Sequence, residues 1–185
     1  MPARKSEEEV DLPALLSAIR RDGKYKIFKK IVETAETRMT IENDRKEVFS
    51  LHASRTARKL YTQKKYNPSS IMDASANDMQ ARSRIVEIRM KASHHIETVE
   101  KAMEAIQDHV ITEYHGEMRA YSNEAQRKAL VRRVQKVAQT LITDGRELLN
   151  LCDTVVKDID AASYHLSSMR DLVQHLAEHR GARVI

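Results

Sequence analysis

Residues 148–176 read LLNLCDTVVKDIDAASYHLSSMRDLVQHL, and this stretch decides the fold. Leu148, Cys152, Val155, Ile159, Ala162, Leu166, Met169, Val173 and Leu176 follow one another at steps of four and three without exception. That alternation keeps every member on one side of an α-helix, whereas a strand buries every second residue. Upstream, Leu130, Val134, Val137 and Leu141 extend the seam, and Asp144 and Gly145 allow a kink or a short break. The spacing predicts a long helix over 123–180, capped by Ser122 or Asn123.

Working outward, residues 69–185 contain no proline, and the whole chain of 185 residues has 4 Gly and 3 Pro. Hairpins need turn residues at short intervals, so sheets are excluded. Asn67, Pro68, Ser69 and Ser70 form the clearest turn, with Ser70 and Asp73 placed like a capping box. A second long helix is expected over 71–114. Its stripe reads Met72, Ala76, Met79, Ser83, Val86 and Met90, then slips in phase and continues through Ile96, Val99, Met103, Ile106 and Val110. A first long helix is expected over 24–65, marked by Phe28, Ile31, Ala35, Met39, Phe49 and Leu60, and its stripe weakens from Thr40 to Glu47, which allows a break there. Residues 1–23 read as a polar segment with a short helix that Asp11 caps and Gly23 follows. The expected fold is therefore all-α: an elongated bundle of about three long antiparallel helices with coiled-coil-like heptad seams, in a single domain over 24–185. Narrow heptad seams bury more when they find partners, so self-association is expected.

Charge is distributed unevenly. Residues 1–68 hold 16 basic and 10 acidic side chains, while 69–185 hold 16 and 17. Between Glu47 and Asp73 no acid occurs, but Arg55, Arg58, Lys59, Lys64 and Lys65 do, with Tyr61 and Tyr66 among them. Cations for phosphates and aromatics for bases are what single-strand binding uses, so these seven residues form the candidate nucleic-acid site. A second basic cluster is Arg20, Arg21, Lys24, Lys26, Lys29 and Lys30, interrupted by Asp22. A third is Arg127, Lys128, Arg132, Arg133 and Lys136, within the acid-free 125–143. The competing reading is that each is a solvated helix face paired with acids on neighbouring helices.

Other chemistries find little support. His175, Glu178 and His179 follow the H-x-x-E-H order of one class of zinc peptidases, but the third ligand that such an enzyme takes from well downstream is missing. His94 and His95 point to different helix faces. No Gly-rich phosphate loop occurs. The reading is of a non-enzyme with no cofactor or metal. A lone Cys152 on an apolar seam is expected to be a reduced, buried thiol. With no signal-like N-terminus and no membrane-length apolar run, the expected place is the cytoplasm of a bacterial or infected cell.

One resemblance adds to this. Leu151, Cys152, Val156, Lys157, Ile159, Tyr164, Leu166, Met169, Arg170 and Asp171 are similar to the last helix of the phage recombination mediators of the UvsY type. The resemblance is confined to that helix and implies single-stranded DNA binding and loading of a recombinase. Recombination mediation and DNA packaging are the phage functions that suit the size and charge. The alternative is a helical scaffold or adaptor that acts through coiled-coil contacts.

Overall fold

The computed structural model describes residues 12–56, 67–119 and 124–181. Of these, all but Asp22, Thr40, Asn67 and Tyr114 are helical, and no strand occurs among them. The helices are α1 (Leu12–Arg21), α2 (Gly23–Met39), α3 (Ile41–Thr56), α4 (Pro68–Glu113), α5 (His115–Arg119) and α6 (Glu124–Gly181). Residue contacts divide the chain into two compact units, where the sequence reading draws one domain over 24–185. The first is Met1–Met39 with His94–Gly145, and the second is Thr40–Ser93 with Arg146–Ile185. The long helices α4 and α6 supply residues to both.

Helix boundaries follow local chemistry. Asp22 starts α2: its carboxylate accepts the Lys24 backbone N–H at 2.6 Å, satisfying a donor that the helix itself leaves open. At Thr40 the chain takes φ 42°, a left-handed conformation costly for a β-branched residue. That residue divides the helix expected over 24–65 into α2 and α3. The part of that expectation beyond residue 56 lies outside the described residues, as do Ser122 and Asn123. The cap of helix α4 lies three residues before the expected Ser70. Asn67 is the cap, accepting the Ser70 N–H at 2.7 Å while Ser70 Oγ accepts the Asn67 N–H at 3.1 Å. Pro68 fits the first helical position, where no N–H is needed.

In the second unit, α3, the first half of α4 and the second half of α6 share one core. Val48, Ala81, Ile85, Ile88, Ala92, Leu148, Cys152, Val155 and Ile159 form it, each at most 6% exposed. Full burial of a Leu or Ile side chain contributes about 1.5–3 kcal/mol, so Leu148 and Ile159 rank among its anchors. Ile71, Ala74 and Leu166 form a smaller cluster with half-buried Met169 and Val173. Ion pairs fix the directions. Arg82 meets Asp160 and Arg89 meets Asp153, so α4 and α6 are antiparallel. Arg45 meets Glu147 and His52 meets Asp158, so α3 and α6 run parallel.

The buried stripe of α4 is displaced from the expected one. Ile71, Ala74, Asp78, Ala81, Ile85, Ile88 and Ala92 are buried at steps of three and four. The stripe continues through Ile96, Val99, Ala102, Ile106 and Val110, where the steps from Ala92 become four, three, three, four and four. Met72, Met79 and Met90 are 65%, 66% and 64% exposed instead. The larger side chains drew the reading to the wrong face, because the true seam over 71–92 carries three alanines and a buried Asp78.

In the first unit, Ala138 takes the buried place expected for Val137, which is 66% exposed. Helix α6 continues through Gly145. A Cβ there would meet Ile96 Cδ1 at 2.9 Å and Cγ1 at 3.0 Å, with Met39 Sδ at 3.7 Å. The glycine serves close helix packing and makes no break. The Gln135 side chain, 4% exposed, donates to the Met103 carbonyl at 2.7 Å and ties α6 to α4.

Candidate nucleic-acid interface

Of the seven residues expected to bind nucleic acid, Arg55 alone is described, and it is not on the surface. It is 7% exposed, and Nη1 donates to the Asp158 carbonyl at 3.0 Å. A guanidinium placed between α3 and α6 directs its charge at a backbone acceptor, so Arg55 takes a buried packing place where a surface one was expected. Arg58, Lys59, Tyr61, Lys64, Lys65 and Tyr66 lie outside the described residues.

Most described cations of the second unit are committed to neighbouring carboxylates. Arg84 grips Glu47 at 2.6 and 3.1 Å and also reaches Glu87 at 3.0 Å. Arg82 holds Asp160 at 2.7 and 3.3 Å, and Lys91 lies 3.6 Å from Asp44. The hydrogen bonds from Arg84 pull the Glu47 carboxyl below its ordinary range. Asp160 and Asp153 push the Arg82 and Arg89 guanidinium groups the other way. Such pairs fix register and leave little charge for a ligand.

The first unit is different. On α6, Lys128, Arg132, Arg133 and Lys136 are all exposed. Lys128, Arg132 and Lys136 are spaced by four, which puts them along one helix face in a row of about 12 Å. Glu124 lies 2.8 Å from Lys128. Among the described residues, no ion pair engages Arg132, Arg133 or Lys136. The second basic cluster is also outward: Arg20, Arg21, Lys24, Lys26, Lys29 and Lys30 are exposed. Lys26 and Lys30 point away from the buried Phe28, Val32, Ala35 and Met39, and Lys29 pairs with Glu33 at 3.4 Å.

Beside the α6 row lies a groove of about 420 Å³ whose floor includes Met118 and Val131, with Arg127, Lys128 and Arg132 at its rim. Gln107 and Gln139 supply amides to it. The row was readable as an acid-free segment. The groove was not, because its floor joins α5 to α6 and no periodicity in either records that.

Asp22 lies 3.1 Å from His109, whose ring meets Tyr114 edge-on at 6.5 Å. Burial works against the Asp22 charge, but the His109 contact and the backbone N–H groups of Lys24 and Tyr25 outweigh it and hold the carboxyl low. Burial and the Asp22 charge push the Tyr114 phenol up. The three fasten the start of α2 to the end of α4.

No family model, curated protein or solved structure matches the chain.

The His175 and His179 rings stand 4.2 Å apart on an exposed turn, and Glu178 accepts from Gln174. Among the described residues, no group of three or more His, Cys, Asp or Glu side chains is placed to hold a metal ion. Cys152 is fully buried, and its burial pushes the thiol up to about 11. At neutral pH it is therefore not a thiolate nucleophile. No helix among the described residues is long and apolar enough to cross a membrane.

Proposed function

We propose that this chain is a non-enzymatic, self-associating helical protein that binds nucleic acid through exposed cationic helix faces. The observation that carries the reading is the acid-free stretch 125–143 of α6, where Lys128, Arg132, Arg133 and Lys136 are outward and, of these four, only Lys128 has an ion-pair partner among the described residues, Glu124. Solvated helix faces normally interleave both signs. A row of one sign is suited to a phosphate backbone, which supplies affinity without sequence readout. Single-stranded DNA is favoured, because Tyr61 and Tyr66 stand among Arg58, Lys59, Lys64 and Lys65 in a second acid-free segment. The resemblance of the C-terminal helix to phage recombination mediators points the same way, toward a recombinase or another phage protein as partner in an infected cell. DNA packaging is the other setting that such binding would serve.

The test is a salt titration of binding to single- and double-stranded oligonucleotides. Affinity should fall steeply with salt. Replacing Lys128, Arg132, Arg133 and Lys136 by Gln should reduce the log–log slope by about 0.7–0.9 for each phosphate that is no longer neutralised. A parallel variant with Arg58, Lys59, Lys64 and Lys65 replaced by Gln weighs the second segment. Replacing Tyr61 and Tyr66 by Ala should weaken single-strand binding by about 1–3 kcal/mol per stacked base and leave duplex binding nearly unchanged. If the wild type binds neither oligonucleotide at low salt, the scaffold reading replaces this one.

A further inference from the structure

Helix α4 carries a second heptad seam on the side away from its core. Met72, Ala76, Met79, Ser83, Val86 and Met90 are spaced by four and three throughout. Val86 is half-buried and the others are exposed. Eighteen residues in five turns match the helix repeat, so the seam runs straight along the axis for about 27 Å. Positions of one heptad class are Ala76, Ser83 and Met90, and those of the other are Met72, Met79 and Val86. Small side chains thus alternate with large ones over most of its length. Three methionines about two-thirds exposed along one line are unusual for a solvated face. The seam of α6 is taken up by the chain's own core as far as Leu166, so it leaves little for a partner.

We infer that this seam is the contact surface for a second copy of the chain, with the two α4 helices parallel and in register. Flanking charge selects the arrangement. In a parallel pair, each Arg82 stands opposite Glu87 of the other copy, and Ser75 stands opposite Gln80. Both ion pairs form at once because the interface is two-fold. The antiparallel pair would set Arg82 against Arg82 and Asp73 against Glu87, repulsive on both flanks. The side chains of Arg82 and Glu87 are 47% and 67% exposed, so each can take a further partner beside Asp160 and Arg84. The inference deepens the self-association in the proposed function and does not depend on nucleic-acid binding.

Sedimentation equilibrium without nucleic acid tests it. The wild type should reach twice the 21.3 kDa monomer mass at high micromolar concentration. Met72→Lys, Met79→Lys and Met90→Lys together should raise the dissociation constant at least a hundredfold with an unchanged far-ultraviolet spectrum, since all three side chains are exposed. Ser83→Cys should cross-link to its own copy under mild oxidation. A mixture of Met79→Cys and Ser83→Cys chains should give no preferred 79–83 product. A monomeric wild type, an undisturbed dimer in the triple variant, or preferred 79–83 cross-links would each overturn the parallel seam. Nucleic-acid binding would remain separately measurable by the salt titration.

Discussion

Arg55 is a cation whose surroundings decide its role. Its guanidinium reaches the Asp158 carbonyl, and its own helix gives it a buried place beside α6. Removing it takes away a charge-assisted hydrogen bond and opens space. Arg55→Ala should therefore destabilise the protein by about 1–3 kcal/mol. Oligonucleotide affinity of the folded variant should stay unchanged. Urea midpoints and binding isotherms on the same sample separate the two effects, and a loss of affinity at full stability would return Arg55 to the ligand. An acid-free sequence records where cations lie along a helix, but which face they occupy depends on the neighbour. Arg55 and Arg132 look alike in sequence, yet one is buried and the other exposed. Thr40 is a similar case: a weakening stripe suggested a break, but only the backbone places it at one residue with φ 42°.

At the scale of the element, α4 shows how a helix can be recognised while its core face is misread. The four-and-three spacing is real on both faces. The choice between them depended on size, and the buried face holds Ala74, Ala81 and Ala92 because helices approach closely there. Gly145 in α6 is the same effect at its limit. Gly145→Ala gains about 1 kcal/mol in helix propensity but forces Ile96 to move, and overpacking a filled site costs about 1–3 kcal/mol. The single variant should be less stable than the wild type. Ile96→Ala removes both contacting atoms and should make Gly145→Ala favourable in that background. A double-mutant cycle in urea that gave simple additivity would deny the contact. The pairing of α3 with α4 supplies a pH dependence. Glu47 titrates lower in the fold than its ordinary 4.5 because Arg84 holds it. Its contribution is present above that value and is lost as the pH falls through the lowered one. Glu47→Gln should therefore cost stability at pH 7, and the gap to wild type should narrow at pH 3.

For the whole molecule, helix content was legible because it depends on what the chain lacks: prolines after Pro68, frequent glycines and period-two alternation. The C-terminal seam was legible as far as Leu166, because large apolar residues there coincide with buried ones. It overran at Leu176, which is 52% exposed, since periodicity does not say where a neighbouring helix stops covering it. The partition into two units was not legible, because α4 and α6 continue through both without a turn or linker to mark it. Net charge of +5 is likewise a poor guide by itself. What separates a stabilising cation from an available one is the carboxylate across from it, and that is a property of packing.

The single thiol gives this protein a built-in clock. Cys152 is fully buried in the core shared by three helices, so a thiol reagent reaches it only when that packing opens. Under native conditions, with excess reagent, the trapping rate should approach the opening rate, or the opening equilibrium times the intrinsic rate if reclosing is faster. Trapping should be slower by orders of magnitude than in urea, and Gly145→Ala and Glu47→Gln would show whether a disturbance elsewhere along the helices hastens it. Immediate labelling of the folded wild type would mean that the core fluctuates open on the timescale of mixing. A slow, single-exponential reaction whose rate no longer rises with reagent concentration would give the lifetime of the closed core directly, without denaturant and without any label but the chain's own sulfur.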